Sequence, residues 1–232
     1  VVTDELRDLA RISGIPELPR ISIFHALNSR AVSRSYAARI GRKYEELNLI
    51  VAHLGGGISV SAHHYGKVVD VNNALNGEGP FSPERAGTLP ARQLVDMCFS
   101  GKYTYAEIRK MINGRGGLVA HLGTTDVQSI IRWAHAGAEK HKLVLDAMLY
   151  TIAKQVGAMH IALHGQTDAV ILTGGIAFND YCIQGLREWL EGLVPIVVIP
   201  GEDEMGALAM NALGVLRGEL TLQEYAPETS SD

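Results

Sequence analysis

The sequence predicts an α/β fold in which a mixed β-sheet is flanked by helices. Three strand-like runs follow one another between residues 49 and 71, separated only by short glycine turns, which indicates antiparallel pairing. Strand-like and helical runs then alternate from residue 168 to residue 217, which is typical of parallel strands joined by crossovers. Between these regions, residues 140–163 form a long helical pattern with an apolar face that can cover the sheet.

The composition is that of a globular protein with a substantial core. The chain has 232 residues, of which 47% are hydrophobic, enough for one large domain or two small ones. Its net charge of -4 argues against general nucleic-acid binding, which needs a basic surface. No apolar run is long enough for a bilayer and no signal peptide is recognisable. We therefore expect a cytoplasmic protein without membrane or nucleic-acid partners, with Cys98 and Cys182 as reduced thiols.

The first part of the chain is predicted to be helical. Thr3 can cap a helix over residues 4–12, and a proline-containing loop separates it from a basic helix over about 29–47. His25 lies at the entrance to this second helix. A histidine in an apolar context is more often a packed, hydrogen-bonded side chain than a catalyst, and the local sequence leaves both interpretations open.

A glycine turn joins the first two predicted strands. Leu49–Ala52 precede Gly55–Gly57, Ile58–Ala62 follow them, and Lys67–Val71 form the third strand. A dinucleotide-binding fingerprint would lead from its glycines into a helix, whereas this turn leads into another strand. Such a hairpin can surround a phosphate with backbone N–H groups, or it can be a turn that binds nothing.

The following loop, residues 72–90, has a composition that denies regular structure. Long loops of this kind inside compact domains are usually functional or disordered. The loop carries Glu78, Glu84 and Arg85. Arg85 could stabilise a phosphate group, or it could pair with Glu84 or another surface acid, which is the default for an isolated arginine.

The remaining chain alternates helices with two strands. Helices are predicted over 91–99, 105–112 and 140–163, with a linking loop over 118–124 and a helix capped by Thr125 or Asp126. The apolar face of the long helix is predicted to comprise Leu143, Leu145, Met148, Leu149, Ile152, Ala153, Val156 and Met159.

A second glycine turn follows the strand predicted over 168–172. It leads into a helix over 180–191, a good setting for a nucleotide or phosphate. After a strand over 195–199, three acidic residues open a last helix over 205–217. Acids there can simply stabilise the helix dipole, or a carboxylate can hold Mg²⁺.

Several motifs, in order, resemble the acetate kinase family and, within it, the butyrate kinases. They are SIFHALN at 22–28, HLGGGISV at 53–60, VNNALNGEGPFSPERAG at 71–87, LTGGIAF at 172–178 and PGEDEMGALA at 200–209. The similarity runs from about residue 1 to residue 219, nearly the whole chain, which makes it far more specific than any single glycine motif. The wider group is the actin-like acetate and sugar kinase superfamily.

The resemblance implies an actin-like (ribonuclease H-like) mixed sheet flanked by helices, mainly the second domain of a two-domain kinase. Residues 1–200 would form this domain with its entry segment, 201–219 a C-terminal helix returning toward the first domain, and 220–232 a tail. Kinases of this family begin with another domain, which is absent here, so this fragment alone is expected to be inactive.

The resemblance also implies a reversible phosphoryl transfer from ATP, with Mg²⁺, to butyrate or a similar short or branched-chain fatty acid, giving acyl phosphate and ADP. It further implies a homo-oligomer, at least a dimer. The alternatives are an acetate or propionate kinase, or a nucleotide-binding regulatory module on the same fold.

Residue by residue, the resemblance assigns His25 and Arg85 to the phosphoryl group in transit. It assigns the phosphate-binding turn to His53, Leu54, Gly55, Gly56 and Gly57. It assigns the adenosine-binding turn to Gly174, Gly175, Ile176, Ala177, Phe178 and Asn179. Glu204 is the best match for the Mg²⁺-associated glutamate, although Glu202 and Asp203 lie close enough to confuse the alignment.

Overall fold

A computed structural model describes residues 8–202 and 204–218 and contains a five-stranded mixed sheet. The strand order is β3-β2-β1-β4-β5. β1 pairs antiparallel with β2, and β2 with β3, whereas β1 pairs parallel with β4, and β4 with β5. This topology confirms the predicted mixed sheet. The strands are β1 (Asn48–Leu54), β2 (Ile58–His64), β3 (Lys67–Val71), β4 (Ala169–Thr173) and β5 (Ile196–Val198).

Nine α-helices lie in the described part of the chain. They are α1 (Asp8–Arg11), α2 (Ala26–Arg39), α3 (Ala91–Cys98), α4 (Tyr105–Ile112), α5 (Leu118–Leu122), α6 (Val127–His135), α7 (Glu139–Ala162), α8 (Asp180–Leu190) and α9 (Glu204–Leu216). None of the helices in the described ranges is long and apolar enough to cross a membrane.

The central strand β1 is buried along its whole length because helices cover both faces of the sheet. Successive side chains of a strand point to opposite faces. Ile50 and Ala52 accordingly join the larger core, with α7 and α8, while Leu49 and Val51 join the smaller core, with α2. This double coverage explains why β1 is a continuous apolar run rather than an alternating one.

Helix α2 is much shorter than the sequence predicts. It ends at Arg39 instead of continuing to residue 47. Gly41 adopts a left-handed conformation (φ +70°), which ends a helix at little cost because glycine has no Cβ. A short 3₁₀ helix, Tyr44–Glu46, then leads into β1.

Two further predictions are wrong, for reasons of tertiary packing. The segment predicted as a linking loop over 118–124 contains helix α5, whose Leu118 is fully buried. Leu143, predicted on the core face of α7, is 70% exposed. The other seven predicted core positions of α7 are buried, because they repeat with the helical period and Leu143 lies off their stripe.

The chain divides into two compact units, residues 1–202 and 203–232. The described part of the second unit is α9 followed by a short turn. Thr3, the first half of the helix predicted over 4–12, and the tail after residue 218 lie outside the described residues. The predicted role of the C-terminal helix stays a prediction.

His63 is a fully buried histidine within β2. Its Nδ1 lies 2.6 Å from the Tyr44 hydroxyl and its Nε2 lies 2.8 Å from the Ser61 hydroxyl. Burial, and secondarily the nearby charge of Arg30, lowers the pKa of His63 from 6.5 to about 3. The native protein therefore holds this ring neutral at pH values where the unfolded chain protonates it.

We expect this histidine to weaken the fold in mild acid. The stabilisation that comes from keeping His63 neutral is complete above pH 6.5. As the pH falls from 6.5 toward 3, it is lost, and the free energy of unfolding decreases by about 1.4 kcal/mol per pH unit. When the pH is lowered from 7 to 5, the free energy of unfolding measured with urea should therefore decrease less in His63→Gln than in the wild type. The exposed His121→Gln is the matched control, and an unchanged slope in His63→Gln would contradict the interpretation.

Candidate active site

The three glycines form the turn of the β1–β2 hairpin, as the sequence predicts. Leu54 pairs with Ile58, and the Gly55 N–H donates to the Gly57 carbonyl oxygen at 3.2 Å. The turn stands at the end of two buried strands, so its position is fixed by the sheet. Its remaining N–H groups can meet an anion there.

Arg85 lies directly over this turn. A Cβ atom at position 57 would overlap the guanidinium of Arg85, so only glycine allows this approach. Nη1 of Arg85 donates to the Ala74 carbonyl oxygen at 2.8 Å, and Nη2 lies 4.0 Å from the Glu84 carboxylate. Nε is buried without a hydrogen-bond partner. The guanidinium is thus held by the backbone more than by Glu84, and it retains donor capacity.

Ser82, which sequence reasoning missed, attaches the loop over 72–90 to the glycine turn. Its hydroxyl donates to the Gly56 carbonyl oxygen at 2.6 Å and accepts from the Arg85 backbone N–H at 3.1 Å. Ser82 is fully buried. No local pattern distinguishes it from other loop serines, because its role depends on two segments that are distant in sequence.

The loop is also anchored at its start. Asn72 Oδ1 accepts from the Val60 N–H at 2.8 Å, which continues the edge of β2 after β3 has ended. Arg20 donates to Glu78 at 2.8 Å and pairs with Asp70 at 3.1 Å. These contacts give an irregular loop a defined path from β3 toward Arg85.

His25 and His53 form a stacked pair beside the turn. Their ring centroids are 3.7 Å apart and their planes differ by 13°. His25 is the N-cap residue of α2, and its Nδ1 lies 3.0 Å from the Ser59 hydroxyl. Burial, followed by the Arg85 charge, lowers the pKa of His25 to about 4. Burial, followed by His25, lowers the pKa of His53 to about 3, so both rings are neutral at neutral pH.

Asn28, a buried residue that the sequence analysis did not select, contacts His53. Its Nδ2 lies 2.9 Å from His53 Nδ1 and 3.3 Å from the Thr173 hydroxyl. On the opposite side of the His53 ring, Nε2 lies 3.5 Å from the Glu202 carboxylate. A polar network therefore connects α2 with the ends of β1 and β4.

The second glycine turn begins at Gly174, immediately after β4. Gly174 has φ +89°, and a Cβ there would lie 2.5 Å from the Leu54 carbonyl oxygen. Between this turn and α8 the chain forms a 3₁₀ helix, Gly175–Phe178. The sequence analysis predicted α8 but not this 3₁₀ helix. Asn179 caps α8, with its Oδ1 accepting from the Tyr181 N–H at 3.0 Å.

A cavity of about 400 Å³ brings the two turns together. Its walls include six predicted site residues, Gly55, Gly56, Gly175, Ile176, Phe178 and Asn179. They also include six residues that the sequence analysis did not select as site residues, Pro83, Glu84, Thr125, Asp126, Val127 and Gln128. Leu54 and Ala177 instead place their side chains in the core, so only their backbone can face a ligand. Asp126 was noticed only as a helix cap, a role it has, since its Oδ1 accepts from the Gln128 N–H.

Comparison with known proteins shows the family of this chain. A model of the Acetokinase family matches residues 20–193. The chain belongs to the acetokinase family. A probable butyrate kinase of Phocaeicola vulgatus is 68% identical over 98% of the chain and 64% of its own length. Butyrate kinase 1 of Clostridium acetobutylicum is 50% identical over 97% of the chain and 63% of its own length. The chain thus spans 63–64% of these relatives.

Solved structures of acetokinase-type enzymes share the fold. The acetate kinase of Porphyromonas gingivalis superposes with a TM-score of 0.80, at 23% identity, over 91% of this chain and 61% of its own. A propionate kinase from Francisella tularensis subsp. tularensis SCHU S4 gives a TM-score of 0.76 at 23% identity, over 88% and 60%. These similarities confirm the predicted fold class.

The acidic segment before α9 is described only in part. Glu202 is placed, beside His53, whereas Asp203 lies outside the described residues and the side chain of Glu204 is not described. Within the described residues, no three His, Cys, Asp or Glu side chains gather in a way that could hold a metal ion. The assignment of Glu204 to Mg²⁺ stays a prediction.

We expect neighbouring glycines of the turn to differ sharply in whether they tolerate replacement by alanine. Gly57→Ala would displace the Arg85 guanidinium and should cost about 1–3 kcal/mol of unfolding free energy, as overpacking does. Gly56→Ala is the matched control, since the nearest atom to its Cβ would be Glu84 Oε1 at 3.5 Å, an ordinary contact. Thermal unfolding and a crystal structure of each variant would check this, and equal effects would contradict it.

Proposed function

We propose that the protein is a carboxylate kinase. It would transfer the γ-phosphoryl group of ATP reversibly to butyrate or a similar short or branched-chain fatty acid, giving acyl phosphate and ADP. The observation that carries the proposal is the cavity shared by the two glycine turns, with Arg85 lying across the first turn. The names of relatives that are 50–68% identical support the same chemistry.

The nucleotide would lie along this cavity, with its phosphates at the first turn and its adenosine at the second. Backbone N–H groups of Gly56 and Gly57 are suited to phosphate oxygens because no side chains screen them, whereas the Gly55 N–H already donates to the Gly57 carbonyl oxygen. The 3₁₀ helix over 175–178 and Asn179 would contact the adenosine. The exposed Phe178, at 70%, is available for such a contact.

The reaction needs no general base. A carboxylate acceptor is already ionised at neutral pH, so catalysis requires alignment and neutralisation of the transferring oxygens. Arg85 supplies the fixed positive charge in this part of the site, and its planar fork suits phosphate oxygens. Because the pKa of His25 is lowered to about 4, we expect it to act as a neutral hydrogen-bond donor.

We expect Mg²⁺ to bind together with the nucleotide phosphates. It usually keeps several waters and is bound through one or two carboxylates together with substrate phosphates. Glu204 would hold it, directly or through water, and Glu202 is the alternative. When bound, the ion would neutralise charge on the phosphates.

The deciding experiment is acyl-hydroxamate formation by the full-length gene product from ATP, Mg²⁺, hydroxylamine and an acid. We expect butyrate, isobutyrate or another branched acid to give the highest kcat/KM, followed by propionate and acetate. A preference for acetate or propionate would favour the alternative substrate. Nucleotide binding without hydroxamate from any acid would favour a regulatory module.

We also expect the intact protein to be a cytoplasmic homo-oligomer, at least a dimer. Sedimentation would test the oligomeric state.

Arg85 should be essential for turnover. We expect Arg85→Ala to lower kcat by about 10²-fold or more, in line with the loss of a transition-state donor. Arg85→Lys should recover only part of the rate, because the planar fork is lost. Arg92→Ala, which removes a surface arginine of α3, is the matched control. Steady-state kinetics with melting temperatures would check this, and near-normal kcat in folded Arg85→Ala would remove Arg85 from the mechanism.

A further inference from the structure

Asn28 is the one side chain that contacts both strand ends from which the glycine turns start, among the described hydrogen bonds. His53 precedes the first turn by two residues, and Thr173 immediately precedes Gly174. All three side chains are almost completely buried, Asn28 at 2%, His53 at 2% and Thr173 at 0% exposure. Water therefore cannot replace their hydrogen bonds easily, and each polar atom has to be matched by its neighbour.

The direction of each hydrogen bond follows from the single proton of the Thr173 hydroxyl. This hydroxyl donates to the Gly201 carbonyl oxygen at 2.9 Å, so it can only accept from Asn28. The Asn28 amide must therefore turn its NH₂ group, not its oxygen, toward Thr173 and His53. This assigns an amide orientation that heavy-atom positions alone leave ambiguous.

The same argument determines where the proton of His53 lies. An NH₂ group only donates, so His53 Nδ1 must accept, and a neutral imidazole then carries its proton on Nε2. Nε2 lies against the first glycine turn. It lies 3.5 Å from the Glu202 carboxylate and would lie 3.0 Å from a Cβ at position 55. His53 thus presents a donor at the edge of the glycine turn.

We propose that Asn28 is a positioning residue of the nucleotide site. It fixes His53 with its proton on Nε2, and it ties the end of β1 to the end of β4 so that the two turns keep their spacing. Because His25 stacks on His53 at 3.7 Å, Asn28 also fixes the surface against which His25 rests. This inference rests on the proposed function for its effect on turnover, but the position of the His53 proton does not depend on it.

The substitution Asn28→Asp tests the role of the amide with little change in shape. A carboxylate cannot donate to His53 Nδ1 or to the Thr173 hydroxyl. Nδ1 of His53 should therefore become protonated in order to pair with Asp. The two-bond ¹H–¹⁵N histidine spectrum of the full-length protein distinguishes the ring nitrogens. We expect an unprotonated Nδ1 in the wild type and a protonated one in Asn28→Asp.

The substitution Asn28→Asp should change the two KM values differently. We expect the KM for ATP to rise by about tenfold, the loss expected for a buried hydrogen bond, with the KM for the acid nearly unchanged. Asn48→Ala is the matched control. Asn48 is a buried amide at the opposite end of β1, and its Oδ1 lies 2.7 Å from His64 Nδ1, far from the turns. This control should lower stability without separating the two KM values.

Thr173→Val is the second variant, in case Asn28→Asp does not fold. Loss of the hydroxyl removes the constraint on the amide, so His53 should populate both tautomers. A wild-type His53 protonated on Nδ1 would overturn the proposal, as would unchanged His53 signals and an unchanged KM for ATP in both variants. Absence of acid phosphorylation in a wild type with the expected His53 spectrum would instead refute the proposed function alone.

Discussion

The parallel pairing of β1 with β4 is the constraint on which the rest of this site depends. It places His53 opposite Thr173, so that both strands end at the same edge of the sheet and both glycine turns leave from that edge. The approach is close, because a Cβ at position 174 would come within 2.5 Å of the Leu54 carbonyl oxygen. A ligand that spans both turns would therefore be held by positions that the sheet itself sets, as in other α/β proteins.

The electrostatics of the site follow from burial. The charge of Arg85 helps to hold His25 neutral, while His25 in turn disfavours a charge on His53. Desolvation is the larger cause for both histidines. The result is one fixed cation beside two polar, uncharged rings. This arrangement suits an anionic ligand whose charge changes place during a reaction, since the donors do not have to titrate.

The hairpin, the mixed sheet and the two glycine turns could be predicted from the sequence, because they depend on local periodicity and on chain order. It did not predict the end of α2, since a single left-handed glycine, Gly41, outweighed a continuous helical pattern. The sequence analysis also missed Asn28 and Ser82. The hydrogen-bond partners of Asn28 lie 25 and 145 residues away along the chain, and Ser82 lies 26 residues from Gly56, its partner in the glycine turn. Polar side chains that connect distant segments leave no periodic signal, so only the fold identifies them.

The three consecutive glycines illustrate how one motif can meet several requirements. A Cβ at position 55 would press against His53 Nε2 at 3.0 Å, and one at position 57 would overlap Arg85. Position 56 is more open and faces the cavity. Gly57 is thus required by a neighbouring side chain, Gly55 avoids a tight contact with another, and the middle glycine is free to approach a ligand. The motif therefore reflects the need to bring an arginine and a histidine against the turn, as much as the need to leave room for phosphate.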